Sequence, residues 1–149
     1  MADAIAPAPR TPWHLWVIGV ISLLWNCVGA MDFTMTETGN AAYLKAFSPE
    51  QLAYFKGFPL WVVLAWGVAT WGSVVGSLLL LLRRRQAVPV NLAVLIGMAF
   101  TFVHNYVLTD GWKVMGGGAG PLVFTAVIVV IGVLLFGYAR TMRRRGVLR

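Results

Sequence analysis

Four long apolar runs, separated by short polar stretches, set the pattern of this 149-residue chain. They cover Trp13 to Phe33, Pro59 to Leu82, Pro89 to Leu108 and Pro121 to Ala139. A hydrocarbon core about 30 Å thick is crossed by roughly 20 apolar residues of helix, so each run is long enough to span a bilayer. Lipid offers backbone N–H and C=O groups no partners, which restricts such runs to helices. The pattern predicts an all-α integral membrane protein, with four transmembrane helices in an up-down bundle forming one domain over residues 1–149.

The polar breaks carry a smaller element. Ser48-Pro49-Glu50-Gln51 places a capping serine before a proline at the first helical position, with glutamine where a capping box needs it. Leu52 and Phe55 then share a face, with Tyr43 and Phe47 just upstream. This predicts a short amphipathic helix over about 49–57 in the first outer loop, lying across the mouth of the bundle; a plain structural linker is the competing expectation. Residues 1–12, with three prolines and four alanines, read as a flexible lead, and Pro12 suits a helix start. The Gly116-Gly117-Gly118-Ala119-Gly120-Pro121 run lacks the Lys-Ser or Lys-Thr of a phosphate loop and reads as a turn before the fourth span.

Composition agrees with the pattern: 59% of residues are hydrophobic and 11% charged, which excludes an ordinary water-exposed globule. The net charge of +7 is informative through its placement. Arg10, Arg83, Arg84, Arg85, Arg140, Arg143, Arg144, Arg145 and Arg149 fall in the N-terminal lead, the second loop or the C-terminal tail, whereas the other two loops hold only Lys45, Lys56 and Lys113. Nine basic residues against three predict that both termini are cytoplasmic. The runs Arg83-Arg84-Arg85 and Arg143-Arg144-Arg145 are then expected at anionic lipid headgroups, with no nucleic-acid partner. Cys27 is the one cysteine, so neither an intramolecular disulfide nor a cysteine zinc cluster can form. Bulky Trp25 and Asn26 before it make a poor lipoprotein cleavage site, and the first span is expected to be retained.

Two packing signals follow. Gly72-x-x-x-Gly76, shadowed by Ser73 and Ser77, would let a second helix approach closely, from within the chain or from a second copy in a homodimer. The ends of the first and third spans also resemble each other, Asn26-x-Val28-x-x-x-Asp32 against Asn105-x-Val107-x-x-Asp110. Each is followed by a loop closing in Gly, Pro and Leu, and the second and fourth spans each end in three arginines. A parallel duplication of one hairpin would produce this arrangement.

Polar groups inside a bilayer are costly and usually face a bundle interior or a cavity, so candidate chemistry starts there. Ser22, Asn26 and Gly29 form one stripe on the first span, leading toward Asp32. Gly97, Thr101, His104 and Asn105 form another on the third, leading toward Asp110. Each asparagine lies roughly 8–9 Å below its aspartate at 1.5 Å per residue. If the two spans face each other, Asn26, His104 and Asn105 share a layer beneath an acidic rim of Asp32 and Asp110, with Trp25 and Tyr106 as aromatic walls. That constellation is the candidate ligand site. The competing use is cross-helix hydrogen bonding by the asparagines, with the aspartates as interfacial caps. Histidine is the residue type most suited to both ligand binding and charge change near neutral pH, which makes His104 the most telling member.

Other chemistry is disfavoured. His14 and His104 differ in depth by roughly 20 Å, too far to ligate one haem iron within a monomer. The chain has no His-Glu-x-x-His motif and no carboxylate cluster, and no serine or cysteine has a credible base partner. No metal, no cofactor and no enzymatic activity are expected.

The segments Trp13-His14-Leu15-Trp16-Val17, Leu24-Trp25-Asn26, Gly29-Ala30-x-Asp32, Ser48-Pro49-Glu50-Gln51-Leu52-x-Tyr54-Phe55 and Leu80-Leu81-Leu82-Arg83-Arg84-Arg85 span nearly the whole chain. Together they resemble small four-helix bacterial inner-membrane proteins of uncharacterised function, some of which carry an automatic label of sugar transporter. The resemblance implies a multi-pass protein of the bacterial inner membrane and supplies no residue-level mechanism. The chain lacks the proline-glutamine hallmark of small sugar-exporting three-helix repeats. It also lacks the first-helix glutamate of four-helix multidrug exporters.

Two functions of different class are therefore expected to compete. One is a binder or transporter of a small molecule using the polar pocket. The other is a non-catalytic accessory subunit or assembly factor, docked on a larger membrane complex through the Gly72/Gly76 face or the outer loop.

Overall fold

The computed structural model describes residues 10–149; most of the proline- and alanine-rich lead, residues 1–9, lies outside them. Eight helical elements account for most of the described chain, and no strand occurs among the described residues. The long ones are α1 (Trp13–Glu37), α4 (Leu60–Leu81), α5 (Ala87–Val103, continued by a π turn over His104–Leu108) and α7 (Ala119–Arg144). Each is long and apolar enough to cross a membrane, which fits a multi-pass membrane protein. Three short helices lie between them: α2 (Ala41–Leu44), α3 (Pro49–Lys56) and α6 (Gly111–Val114).

The helices overrun the apolar runs where polar residues still favour the backbone. Helix α1 continues four residues past Phe33 to Glu37, and α7 extends past Ala139 to take in Arg140, Arg143 and Arg144. Cations at a helix C-terminus interact favourably with the orphan carbonyls, so the last turn of α7 holds two of the three clustered arginines within the helix. Helix α3 has the anticipated capping box: Gln51 N–H donates to Ser48 Oγ at 3.2 Å, and Ser48 N–H donates to Gln51 Oε1 at 3.0 Å.

Neighbouring long helices pair with falling against rising residue number, so each pair is antiparallel. Helix α1 meets α4 through Gly19 beside Leu81, Asn26 beside Ser73 and Ser77, and Phe33 against Gly67. Helix α4 meets α5 through small residues. A Cβ at Gly72 would stand 2.9 Å from Val94, one at Gly76 would stand 2.9 Å from the Asn91 amide, and one at Gly97 would stand 2.6 Å from the Ala65 carbonyl oxygen. The Gly72/Gly76 motif is thus occupied from within the chain by α5. Helix α7 leans on α5, with Gly132 against Leu95 and Met98. The order across the bundle is α1, α4, α5, α7.

The core gathers at the arginine end. Leu15, Leu80, Ala87, Val88, Ala139, Met142, Val147 and Leu148 are buried together, drawn from all four long helices and the segment after α7. Gly146, in the left-handed region at φ 71°, ends α7 in a Schellman turn: Val147 N–H reaches the Met142 carbonyl and Gly146 N–H reaches that of Arg143, both at 3.0 Å. The turn sends residues 147–149 back across the bundle. There Arg149 N–H donates to the Arg83 carbonyl at 2.7 Å and Arg85 N–H donates to that of Arg149 at 3.1 Å. Helix α4 ends in the same way, but with Arg83 rather than glycine at φ 55°. That conformation costs a non-glycine residue roughly 1–2 kcal/mol. The Arg83 guanidinium is held by a 2.8 Å hydrogen bond from Nη1 to Thr11 Oγ1. Arg84, Arg85, Arg143, Arg144 and Arg145 are exposed.

Candidate functional site

The opposite end is aromatic. Trp66 stacks on Phe55 and is met edge-on by Phe33 and Phe58, which joins α1, α3 and α4 in one ring cluster. His104 lies beside this cluster, at the point where α5 changes from α to π winding. Its ring centroid is 5.1 Å from Phe58, 5.6 Å from Trp61 and 6.1 Å from Tyr54, and only 6% of the residue is exposed.

The π turn has a visible cause. Thr109 N–H donates to the His104 carbonyl across five residues at 3.0 Å, and Thr109 Oγ1 lies 2.7 Å from the same oxygen. Thr109 Oγ1 is also 2.7 Å from the Tyr54 hydroxyl, which donates to Asn105 Oδ1 at 2.9 Å. Helix α3 therefore holds the widened turn from outside through one phenol. Gly111 is buried directly beneath that phenol, leaving no room for a side chain. Single π turns in α-helices are frequent at functional sites.

The hydrogen-bond pattern sets the state of the imidazole. Asn105 Oδ1 lies 3.0 Å from His104 Nδ1, and with the amide in this orientation the oxygen can only accept. In the tautomer that pairs with this oxygen, Nδ1 carries the proton and Nε2 presents its lone pair. No hydrogen bond reaches Nε2 among the described residues, yet Thr36 Oγ1 is the one buried side-chain polar atom without a partner there, so Nε2 is not sealed from the surface. An aromatic box with one accessible imidazole nitrogen can accept a hydrogen bond from a ligand, or face a cation with its ring walls.

The remaining sequence-derived candidates go to separate places. Asn26 donates through Nδ2 to the Ser73 carbonyl at 3.2 Å and to Ser77 Oγ at 3.0 Å, on the α1–α4 interface. His104 and Asn105 stand across α4 from α1, so the layer shared by the two asparagines does not form. Helix α4 lies between α1 and α5 because successive long helices joined by modest loops pack side by side. Asp32 accepts a very short hydrogen bond from the Tyr43 hydroxyl. Burial, then this bond and the nearby negative charge, push the Tyr43 phenol up to about 12. Asp110 forms an exposed ion pair with Lys113 at 2.8 Å. Trp25 is exposed on the outer face of α1. Tyr106 stacks on Phe102 and bonds Thr125 Oγ1 at 2.7 Å, tying the π turn to α7.

Tyr54, Phe58, Trp61 and Thr109 complete the site and were not singled out by polar-stripe reasoning. Tyr54 had one signal, its place in the capped α3 helix. Burial raises its phenol above the usual tyrosine value, against a smaller lowering by the Thr109 hydrogen bond. No group of three or more His, Cys, Asp or Glu side chains suited to a metal ion occurs among the described residues. No protein-family model, characterised protein or solved structure matches this chain.

Proposed function

We propose that this protein is an up-down four-helix bundle of the bacterial inner membrane that binds or transports a small molecule at its aromatic end. Both termini lie on the cytoplasmic side in this reading. The nine-to-three division of basic residues supports that orientation, because it leaves the arginine end inside and the aromatic end outside. Helix α3 is then the outer-loop helix, lying across the end of the bundle over His104.

One observation carries the binding assignment: a nine-tenths-buried histidine on a π turn, boxed by three aromatic rings, with one ring nitrogen lacking a protein partner. Intramembrane ionisable residues are functional by default expectation, and the ring nitrogen left open is where a ligand would complement the imidazole. The ligand suited to this box offers one hydrogen-bond donor and a flat or apolar body. His104 is the acceptor, Asn105 and Tyr54 fix its orientation, and Phe58 and Trp61 supply contact surface. No group in the site is assigned a catalytic role.

Native mass spectrometry of the chain drawn from its own membrane in lipid patches tests this reading. A reproducible small added mass, lost in His104→Ala while the protein keeps its helical content, supports binding at this site. An accessory role is the second reading, favoured by the long exposed face of α7 at Leu122, Val123, Phe124, Val130 and Leu134. Stoichiometric co-migration with a larger membrane protein, unaffected by His104→Ala, would replace the first reading with it.

A further inference from the structure

A shallow apolar groove of about 530 Å³ runs along α4, between α1 and α5. Gly67, Val68, Trp71, Gly72 and Val75 form its floor and Val90 and Ala93 of α5 one wall. From Val63 to Val75 it follows α4 for about 18 Å. Its lining offers almost no polar surface, so a polar ligand would lose hydration there without return.

The groove leads toward a charged stop. It lies between two antiparallel helices, and the turn that joins them, residues 82–86, bears exposed Arg84 and Arg85. Val90 is only five residues beyond Arg85, about 7–8 Å of helix. That turn is also held from distant parts of the chain. Its backbone is bonded on both sides to Arg149, and Arg83 is pinned through its own guanidinium to Thr11. Fixing the turn adds Arg149, another exposed arginine, to the same spot.

We infer that this groove and turn form a specific site for one acidic phospholipid, an acyl chain lying along α4 and the phosphate held by Arg84 and Arg85. A long apolar trough beside a backbone-fixed turn that carries two exposed guanidinium groups matches that chemistry in both halves. The apolar trough alone would accept any lipid chain, and the arginines alone would attract anionic headgroups diffusely. Their placement within the reach of one lipid distinguishes a bound lipid from a passing one. The site stands on different residues from the His104 box and is independent of it.

The test uses the full chain in phosphatidylcholine nanodiscs titrated with phosphatidylglycerol, read by retained lipid in native mass spectrometry. The wild type is expected to keep one phosphatidylglycerol in preference to phosphatidylcholine. Arg84→Gln with Arg85→Gln should weaken retention about 25-fold, from about 1 kcal/mol for each basic residue near the headgroups. Ala93→Trp, which fills the groove from its wall, should abolish retention, whereas Leu92→Trp on the same helix outside the lining should not. The double variant Arg143→Gln with Arg144→Gln removes equal charge from α7 and should leave retention within about twofold. Equal loss in the two arginine pairs would overturn the proposal in favour of diffuse attraction. Equal retention of phosphatidylcholine, or indifference to Ala93→Trp, would overturn it as well.

Discussion

At the arginine end, eight buried aliphatic and sulfur-bearing side chains from four helices and the 147–149 segment form one cluster, sealed by backbone hydrogen bonds between distant parts of the chain. At the aromatic end, rings meet edge to face around a histidine, and short helices rather than long ones provide the cover. The long helices converge at the first end. At the second, α7 rests chiefly on α5 and leaves most of its outer face exposed. Aliphatic packing with satisfied backbone groups fixes one arrangement. Aromatic walls with a single polar guest leave a surface that a ligand can still alter. Aliphatic packing and the ring-boxed histidine thus stand at opposite ends of the same four helices.

The comparison fails most visibly if the arginine end is not the stabilising one. Leu80, 2% exposed, touches the centre of its cluster. Leu80→Ala should cost about 2–5 kcal/mol through lost contacts and the cavity left behind. Denaturant or thermal unfolding in mild detergent measures this, and Phe58→Ala at the other end should cost clearly less. A reversed order would place the structural centre among the rings.

A smaller and more local effect is expected of Tyr54→Phe. It removes the hydroxyl shared by Asn105 and Thr109 and should cost about 1 kcal/mol. The sharper signature is spatial: amide exchange should quicken over residues 104–109 and stay unchanged over 83–88. Faster exchange at both ends would mean that the two are coupled.

Asn26→Leu probes the span between them. Its amide bridges α1 to Ser73 and Ser77, and such contacts in membranes are worth about 0.6 kcal/mol on average. A loss of that order with unchanged ligand behaviour identifies Asn26 as a packing residue; loss of ligand retention would return it to the site.

The smallest expected effect concerns pH. The Tyr43 phenol is raised from 10.0 to about 12 by burial and by Asp32. A group raised on folding contributes its stability fully below its unfolded value and loses it as pH rises through the folded one. The stability that the Tyr43–Asp32 contact adds should therefore be full through neutral pH and be lost between about 10 and 12, the folded phenol itself ionising near the upper value. Tyrosinate absorbance across that window, compared with Tyr43→Phe, checks it.

Much of the fold could be read from the residues themselves. Twenty-residue apolar runs admit only helices, and Ser48-Pro49-Glu50-Gln51 encodes a helix start in a few side chains. Gly72 and Gly76 announced a close helix approach, although only the structure assigns it to α5. The site was half legible. His104 and Asn105 stand out as polar groups in a span, but their partners come from α3, some 50 residues away, and from a change of helical winding. That change depends on Thr109 and Tyr54 acting together, a tertiary condition with no local pattern. Pairing Asn26 with Asn105 failed for a related reason: equal depth in two helices says nothing about which helix stands between them.

The seal made by Arg149 on the turn at Arg83 and Arg85 joins parts of the chain that a ribosome produces far apart in time. Residues 83–85 are made more than sixty residues before residue 149. Helices α1, α4 and α5 can be inserted and paired while α7 is still unmade, because α4 touches both neighbours without it. Closure at Leu15, Leu80 and Val88 must await Val147 and Leu148, so this end is sealed only after α7 has been made. An insertion intermediate with three helices would expose that aliphatic patch, which Val147 and Leu148 later cover.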